Sequence, residues 1–307
     1  MKSVALALDI GGSFIKAACV DLKGCILFEQ SFSSGPKDTN TKFLKHLFEI
    51  IEALRNFCAE KKLQILGLGL GVPGIVNAQK GIVYQSPHFS QWKNFKIRAA
   101  LQKKIPFPID MDNDANRAAL GEAWLGKGKA LRNFIFLTLG TGIGGGIVLN
   151  KRIWQGDSGF AGELGHLVID RNGRSCPCGG QGCLERYASL VGLQEAWRRV
   201  SKAPFPGPQE LYLRAMKKDK AALEVWKQFG NSLGLGLASL MNVLGIENII
   251  LGGGISEAFA VFEKAMKQGM QQHLYQTSFK KMRVYPSQLK NKAGILGCAY
   301  AVFFVNQ

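Results

Sequence analysis

Apolar residues recur at alternate positions in three short runs near the start of the chain, at 3–10, 14–20 and 25–32. This period of two predicts β-strands, and the short glycine-containing segments between the runs predict tight turns. Residues 41–60 follow with apolar side chains at the spacing of an amphipathic helix. The pattern therefore predicts an antiparallel meander that leads into a helix.

Strands and helices continue to alternate through the middle of the chain. An apolar run at 65–70 predicts a strand, a loop-rich span follows, and a strand at 107–111 precedes a helix at about 113–125. The pattern then restarts with strands at 134–139 and 146–149 around a glycine-rich turn. Because the two hairpins share the order strand, Gly-Gly turn and returning strand, we expect an α/β fold with two related halves.

Helical patterns dominate the chain from residue 184 onward. A proline-rich break lies at 204–208, and a strand at 248–251 runs into three glycines. The last apolar stretch, 293–305, predicts a closing helix. The length of 307 residues leaves room for two domains of ordinary size.

Charge and cysteine content narrow the class of protein. The formal net charge is +17, and two segments, 61–109 and 264–307, contain eight and seven basic residues and no acidic one. This excess fits either a solvated basic surface or a polyanionic partner. Seven cysteines, an odd number, argue against a secreted disulfide framework. Since neither a signal peptide nor a membrane-spanning apolar run occurs, we expect a cytoplasmic protein without a membrane anchor.

Two glycine-rich loops, each directly after an apolar strand, have the pattern of a phosphate-binding site. In the first loop Asp9 ends a strand, and Gly11, Gly12 and Ser13 follow it. Glycines let backbone N–H groups approach a phosphate, a hydroxyl adds a hydrogen bond, and Asp9 can hold a metal-bound water. The second loop, 139–146, repeats this arrangement. One such turn alone fits a plain hairpin equally well, but two favour a phosphate clamp.

Dinucleotide binding of the Rossmann type does not fit these glycines. The G-x-G-x-x-G spacing occurs at 69–74 and again at 140–145. That fold requires a helix directly after the glycines and an acidic residue about 20 positions later, and neither segment has both. The Walker A sequence G-x-x-x-x-G-K-[ST] is absent as well.

An acidic segment at 110–114 follows a predicted strand. It begins like a calcium loop, but Ala115 and Gly121 stand where that loop needs Gly and Glu. Asn113 or Asp114 at the start of a helix also fits a simple N-cap. The functional alternative is a carboxylate that projects from the end of a buried strand and takes a proton from a hydroxyl nucleophile.

One histidine and three closely spaced cysteines have the pattern of a zinc site. His166 precedes Cys176, Cys178 and Cys183, and glycines between the cysteines permit a tight loop. One imidazole and three thiolates complete a tetrahedral set, which indicates structural zinc. A disulfide or four unrelated residues are the alternatives.

These segments together resemble the ROK family of repressors, open reading frames and sugar kinases, within the actin-like ATPase and hexokinase superfamily. Residues 9–16 match its first phosphate motif, D-x-G-G-T-x-x-K, with Ser13 in place of Thr, and 139–146 match the second motif. Residues 176–185 match C-x-C-G-x-x-G-C-x-E, and 163–166 match E-x-G-H. The resemblance covers essentially the whole chain.

The resemblance implies roles for the candidate site residues. Asp114 would be the general base. The implied sugar ligands are Gly74, His88, Asn113, Asp114, Glu163, His166 and Glu185. The implied phosphate and nucleotide ligands are Asp9, Gly11, Gly12, Ser13, Lys16, Gly140, Thr141, Gly142, Gly144, Gly252, Gly253 and Gly254. His166 would also bind zinc, and His88 stands in a loop where many family members carry Pro-Asn-Leu.

The resemblance further implies a two-domain actin-like ATPase (ribonuclease H-like) fold with a cleft between the domains and a small zinc-bound loop. We place an N-terminal α/β domain at 1–117, with a C-terminal helix of about 291–307 packing back on it. A larger C-terminal α/β domain, 118–290, contains the zinc loop. The family's repressors carry a DNA-binding region before the first phosphate motif, so the position of Asp9 near the start predicts a kinase without one.

The expected activity is ATP-dependent phosphorylation of glucose to glucose 6-phosphate, with Mg²⁺ near Asp9 and structural Zn²⁺. Other sugars, such as N-acetylmannosamine, N-acetylglucosamine or fructose, remain open. A polyphosphate-dependent glucokinase and a non-catalytic sugar-sensing protein are the further alternatives. By analogy with relatives we expect a homodimer.

Overall fold

The computed structural model describes residues 2–35, 37–275 and 281–305, and it confirms the expected α/β architecture. In chain order the strands are β1 (Lys2–Ile10), β2 (Phe14–Asp21), β3 (Ile26–Ser33), β4 (Leu63–Val72), β5 (Ile75–Asn77), β6 (Ile82–Gln85), β7 (Lys93–Phe95), β8 (Ile109–Asn113), β9 (Phe134–Leu139), β10 (Ile143–Leu149), β11 (Arg152–Ile153), β12 (Asn248–Gly252) and β13 (Arg283–Pro286). The α-helices are α1 (Asn40–Glu60), α2 (Ile97–Gln102), α3 (Asp114–Leu125), α4 (Leu190–Val200), α5 (Pro208–Met216), α6 (Lys220–Leu244), α7 (Phe259–His273) and α8 (Ala293–Phe304).

The first sheet has the strand order β3-β2-β1-β4-β8. β1 pairs antiparallel with β2, as the predicted meander requires, whereas β1, β4 and β8 run parallel to one another. Parallel strands end at the same edge of a sheet, and the register aligns Asp9 with Gly71 and Gly71 with Asp112. The carboxyl ends of β1, β4 and β8 are therefore neighbours, which is the usual place for ligands in open α/β sheets.

Helices cover both faces of this sheet. Val4, Leu6 and Leu8 of β1 belong to a buried apolar cluster with the inner face of α1. The residues between them are small alanines, also fully buried, and α8 packs against β1 and β4. A Cβ atom at Gly69 would lie 2.0 Å from the carbonyl oxygen of Cys298, so glycine is what lets α8 approach the strand so closely.

A small antiparallel sheet, β5-β6-β7, occupies the span that the sequence pattern predicts as loop-rich. Its strands have only three or four residues each, which is too short for an alternating pattern to identify. Beside it, the buried rings of Phe89 and Trp92 stack at 4.0 Å, and both contact Phe43 of α1 edge-on. This cluster anchors the segment between β6 and β7 to the core.

The second sheet has the order β11-β10-β9-β12-β13, with β12 parallel to β9 and β13. The helices α4 to α7 follow the cysteine-containing segment 176–183, as the helical pattern after residue 184 predicts. α6 and α7 pack very closely, because Gly234 of α6 lies against the backbone of Met266 of α7. A Cβ atom at Gly234 would lie 2.2 Å from the carbonyl oxygen of Met266.

The chain folds into two compact units with limits that differ from the predicted domains. The first unit comprises Met1–Ala130, Ile147–Gly162 and Asn291–Gln307, and the second comprises Leu131–Gly146 and Glu163–Lys290. A division after residue 117 would cut α3, which is one continuous helix packed along α8. α8 lies in the first unit, as the predicted closing helix at 293–305 requires. The C-terminal helix assigned to about 291–307 also includes residues 306 and 307, which lie outside the described residues.

Membrane insertion by a helix finds no support in the described part of the chain. None of the helices there combines the length and the apolar character that crossing a bilayer requires. The most apolar helix, α8, has only 12 residues and lies against the first sheet.

Candidate active site

The carboxylate of Asp9 lies at the end of β1, where the register places it opposite Lys16 of β2. A Cβ atom at Gly71 would lie 3.4 Å from Oδ1 of Asp9, and one at Gly294, in the first turn of α8, would lie 2.4 Å from Oδ2. Burial raises the pKa of Asp9, and the ammonium of Lys16 opposes this rise. Lys16 also donates a hydrogen bond of 2.7 Å to the carbonyl oxygen of Asn291. Only glycine fits at position 294, and no sequence signal pointed to that residue.

Hydrogen bonds to backbone carbonyl groups hold the first glycine-rich loop in its conformation. The N–H of Gly11 donates to the carbonyl oxygen of Phe14 at 2.8 Å. Ser34 holds the next two residues, since its hydroxyl donates to Gly12 O at 2.8 Å and its N–H donates to Ser13 O at 3.0 Å. Ser13 itself is exposed, so its hydroxyl can reach a ligand.

The segment between β6 and β7 contacts both the first loop and Gly74. A Cβ atom at Gly12 would lie 2.8 Å from Cγ of His88, so the imidazole rests on that glycine. Gly74 has a φ of 113°, and a Cβ atom there would lie 2.8 Å from Cα of Ser86, the first residue after β6. One segment therefore connects the predicted phosphate loop with a predicted sugar ligand.

Asn113 combines a helix cap with a contact to Gly74. Its Oδ1 accepts the backbone N–H groups of Ala115 at 2.8 Å and Asn116 at 3.3 Å, so the N-cap interpretation holds for this residue. Its Nδ2 donates to the carbonyl oxygen of Gly74 at 3.0 Å. A primary amide carries two N–H donors, so Asn113 can also donate to a ligand.

Asp114 is the first residue of α3 and is partly buried. The buried Asp112 holds the residues around Asp114 in place, because it accepts hydrogen bonds from the N–H of Asn113 at 2.7 Å and from Nδ2 of Asn116 at 3.0 Å. The second carboxylate oxygen of Asp112 accepts from Nε2 of Gln155 at 2.9 Å. Gln155 was missed from the sequence, because it is distant along the chain and belongs to no motif.

The second glycine-rich loop is bound to Glu185. Oε2 of Glu185 accepts the N–H of Ile143 at 2.8 Å, and a Cβ atom at Gly142 would lie 2.2 Å from the same oxygen. The N–H of Gly140 donates to the carbonyl oxygen of Gly142 at 3.0 Å. The predicted nucleotide ligands in this segment are Gly140, Thr141, Gly142 and Gly144. Glu185 thus fixes the loop through Oε2.

The glycines after β12 lie beside the start of that same loop. Gly253 has a φ of 81°, and a Cβ atom there would lie 2.3 Å from the carbonyl oxygen of Leu139. The hydroxyl of Ser256 donates to Gly253 O at 2.7 Å, while Gly254 has open space where a side chain would be. Gly252 to Gly254 and Gly140 therefore share one edge of the second sheet.

Glu163 and His166 lie close together in the second unit. Nε2 of His166 is 4.0 Å from Oε2 of Glu163, and Nδ1 is 3.7 Å from Sγ of Cys176. Partial desolvation raises the pKa of Glu163, although its side chain is about half exposed; His166 opposes the rise and the carboxylate of Glu185 adds to it. One imidazole nitrogen thus faces the predicted sugar ligands and the other faces the cysteines.

The four predicted zinc ligands form a cluster. The donor atoms of His166, Cys176, Cys178 and Cys183 all lie within 4.8 Å of one another. Sγ of Cys178 is 3.7 Å from Sγ of Cys183. Zinc–sulfur bonds of about 2.3 Å at tetrahedral angles place two thiolates about 3.8 Å apart, so this donor set fits zinc. The distance is far longer than a disulfide bond, which removes that alternative for these two residues.

Each unit thus gathers its own set of predicted site residues. In the first unit these are Asp9, Gly11, Gly12, Ser13, Lys16, Gly74, His88, Asn113 and Asp114. In the second unit they are the second glycine-rich loop, Glu163, His166, Glu185, the three cysteines and Gly252 to Gly254.

Comparison with known proteins identifies the family. The sequence profile of the ROK family matches residues 5–303, and the chain belongs to this family. It is 32% identical over 311 residues to the glucokinase of Halalkalibacterium halodurans, covering 97% of this chain and 94% of that protein. It is 30% identical over 308 residues to the xylose repressor of Caldicellulosiruptor bescii, covering 95% of this chain and 76% of the repressor.

A solved structure confirms the predicted actin-like kinase fold. The crystal structure of a ROK family glucokinase from Streptomyces griseus, in complex with glucose and AMPPNP, matches with a TM-score of 0.82 and 27% identity. The match covers 96% of this chain and 98% of that one.

Zinc content tests the cysteine cluster. We expect the purified protein to contain about one zinc per chain, because four suitable donor atoms lie together. Cys178→Ser should lose the metal and lower the melting temperature by about 5 °C or more, since structural zinc contributes directly to folding. Cys25→Ser is the matched control, because Cys25 is exposed and outside the cluster. Folded protein that contains no zinc would contradict the assignment.

Proposed function

We propose that this chain is a hexose kinase that transfers a phosphoryl group from ATP to glucose, forming glucose 6-phosphate. The observation behind this proposal is that Asp9, the first glycine-rich loop and Asp114 lie together at one edge of the first sheet. A phosphate loop and a carboxylate beside it are what transfer to a hydroxyl requires. Membership of the ROK family and the likeness to glucokinases support this choice.

Asp114 acts as the general base in this proposal. It accepts the proton of the attacking 6-hydroxyl group, so that the oxygen becomes a better nucleophile. The buried carboxylate of Asp112 and the cap by Asn113 hold the start of α3 in one position. A base fixed in this way needs little reorganisation when the substrate arrives.

The remaining residues position the two substrates. Asn113, Gly74, Glu163, His166 and Glu185 bind sugar hydroxyl groups through their amide, backbone, imidazole and carboxylate groups. The two glycine-rich loops bind phosphate oxygens through backbone N–H groups, and Gly252 to Gly254 lie against the adenosine. Positioning and neutralisation of charge account for most of the rate in phosphoryl transfer.

Asp9 is the residue that would hold Mg²⁺. Its carboxylate is enclosed by Gly71 and Gly294, and burial raises its pKa, so a nearby cation would favour its ionised form. When bound, Mg²⁺ neutralises charge on the phosphates. His166 and the three cysteines would hold structural zinc, and a zinc ion there would orient the imidazole toward the sugar ligands, so that its effect on the reaction would be indirect.

Glucose is proposed as the substrate because glucokinases recur among the relatives. A sugar-responsive regulator is the second candidate, favoured by the identity of 30% to a xylose repressor. Such a protein would bind sugar without transferring phosphate. We further propose a cytoplasmic homodimer, as an analogy with related kinases.

Replacement of Asp114 by Asn tests the general base. We expect kcat to fall by about 10² or more, because the amide cannot accept the proton, while glucose still binds. Coupled-enzyme kinetics and calorimetric titration with glucose measure the two effects. Glu60→Gln, the same chemical change at the exposed end of α1, should leave both unchanged. A kcat within threefold of the unmodified protein would remove Asp114 from the mechanism.

The choice of phosphoryl donor gives a second prediction. ATP should exceed polyphosphate by at least about tenfold in kcat/KM, about 1.4 kcal/mol, because the Gly144-Gly145-Gly146 run resembles the loop of ATP-using members of the family. If the basic excess serves polyphosphate, the polymer should instead match ATP at low salt and lose activity steeply as salt rises. Initial rates with both donors at several salt concentrations distinguish the two cases.

A further inference from the structure

The imidazole of His88 lies directly against the backbone of Gly12 in the first glycine-rich loop. A Cβ atom at Gly12 would come within 2.8 Å of Cγ and of Nδ1 of His88, and within 3.1 Å of Cδ2. Gly12 does not adopt a positive φ, so the turn alone does not demand glycine. The ring of His88 occupies the space that a larger residue at position 12 would need.

The position of His88 is set by the core. Its neighbour Phe89 is fully buried and stacks on the buried Trp92, with ring planes 8° apart. Both rings contact Phe43 of α1, with centroid distances of 5.4 and 4.9 Å. Because this segment is anchored by aromatic packing, the imidazole is held beside the loop before any ligand binds.

The hydrogen-bonding capacity of the ring is available to a ligand. His88 is exposed, and neither ring nitrogen has a hydrogen-bond partner within 2–35, 37–275 and 281–305. The backbone N–H of His88 donates to Oγ of Ser86 at 3.4 Å, which leaves the ring out of this contact. Lys16, the other basic residue beside the loop, already donates to the carbonyl oxygen of Asn291. His88 therefore offers an N–H donor beside the loop, and this donor lacks a protein acceptor among the described residues.

We propose that His88 donates a hydrogen bond to the transferred phosphoryl group, next to the backbone amides at Gly12 and Ser13. This role rests on the proposed kinase function and differs from sugar recognition. The transferred group spreads negative charge over three oxygens, and a donor already in place stabilises that charge without reorganisation. His88 then acts mainly on kcat and on phosphate binding, and it has little effect on sugar binding.

Three substitutions separate the N–H donor from the packing of the ring. His88→Ala removes both, His88→Phe keeps a ring against Gly12 but has no donor, and His88→Asn keeps a shorter N–H donor. We expect kcat to fall about 10- to 100-fold in the Ala and Phe variants and less in the Asn variant. KM for glucose should stay within about twofold in all three. His273→Ala, an exposed histidine at the end of α7, is the control and should match the unmodified protein.

Calorimetric titration with AMPPNP gives a readout that does not need turnover. The Ala and Phe variants should bind AMPPNP at least about threefold more weakly, while their affinity for glucose is unchanged. If the unmodified protein phosphorylates no sugar, the kinase proposal fails, whereas a loss of AMPPNP affinity would still support contact of His88 with phosphate. A His88→Phe variant that matches the unmodified protein in both kcat and AMPPNP affinity would overturn the proposal. A raised KM for glucose at unchanged kcat would overturn it as well.

Discussion

Asn113, the last residue of β8, links that strand to the start of α3 and to Gly74 through its side chain, and the position of Asp114 depends on these contacts. Its oxygen caps α3 and its amide nitrogen holds the carbonyl group of Gly74, while the buried Asp112 fixes its backbone N–H. An N-cap of this kind stabilises a helix by about 1 kcal/mol. The same contacts leave Asp114 at the carboxyl end of β8, beside the ends of the parallel strands β1 and β4. The parallel register is therefore what brings Asp114 and the first glycine-rich loop to one edge.

Arg117 and Asp9, two charged residues of the first unit, differ in how their surroundings affect their pKa values. Arg117 is buried; burial acts to lower its pKa, but Asp110 and Asp112 outweigh that effect and raise it. Asp9 is different, because burial outweighs the ammonium of Lys16 and raises the pKa of the carboxyl group. An ionised Asp9 is thus favoured by an additional cation, which is the physical reason for placing Mg²⁺ there.

The long elements and the local motifs could be predicted from the sequence, whereas contacts between distant residues could not. The spacing from His166 to Cys183 was sufficient to predict that these four donor residues cluster, because they lie close in the chain. The strand predicted at 107–111 begins at Ile109 instead, since prolines precede it and lack N–H donors. Gly294 beside Asp9 and Gln155 on Asp112 had no sequence signal, because close packing at a glycine and a single amide contact leave no periodic pattern.

We propose above that this chain transfers a phosphoryl group from ATP to the 6-hydroxyl group of glucose. Phosphorus-31 NMR of the protein with ATP and glucose, beside a second sample with 6-deoxyglucose, tests it most directly. We expect glucose 6-phosphate and ADP to accumulate together in the first sample, and no sugar phosphate in the second. Glucose that binds without yielding any sugar phosphate, or phosphate attached to another hydroxyl, would contradict the account.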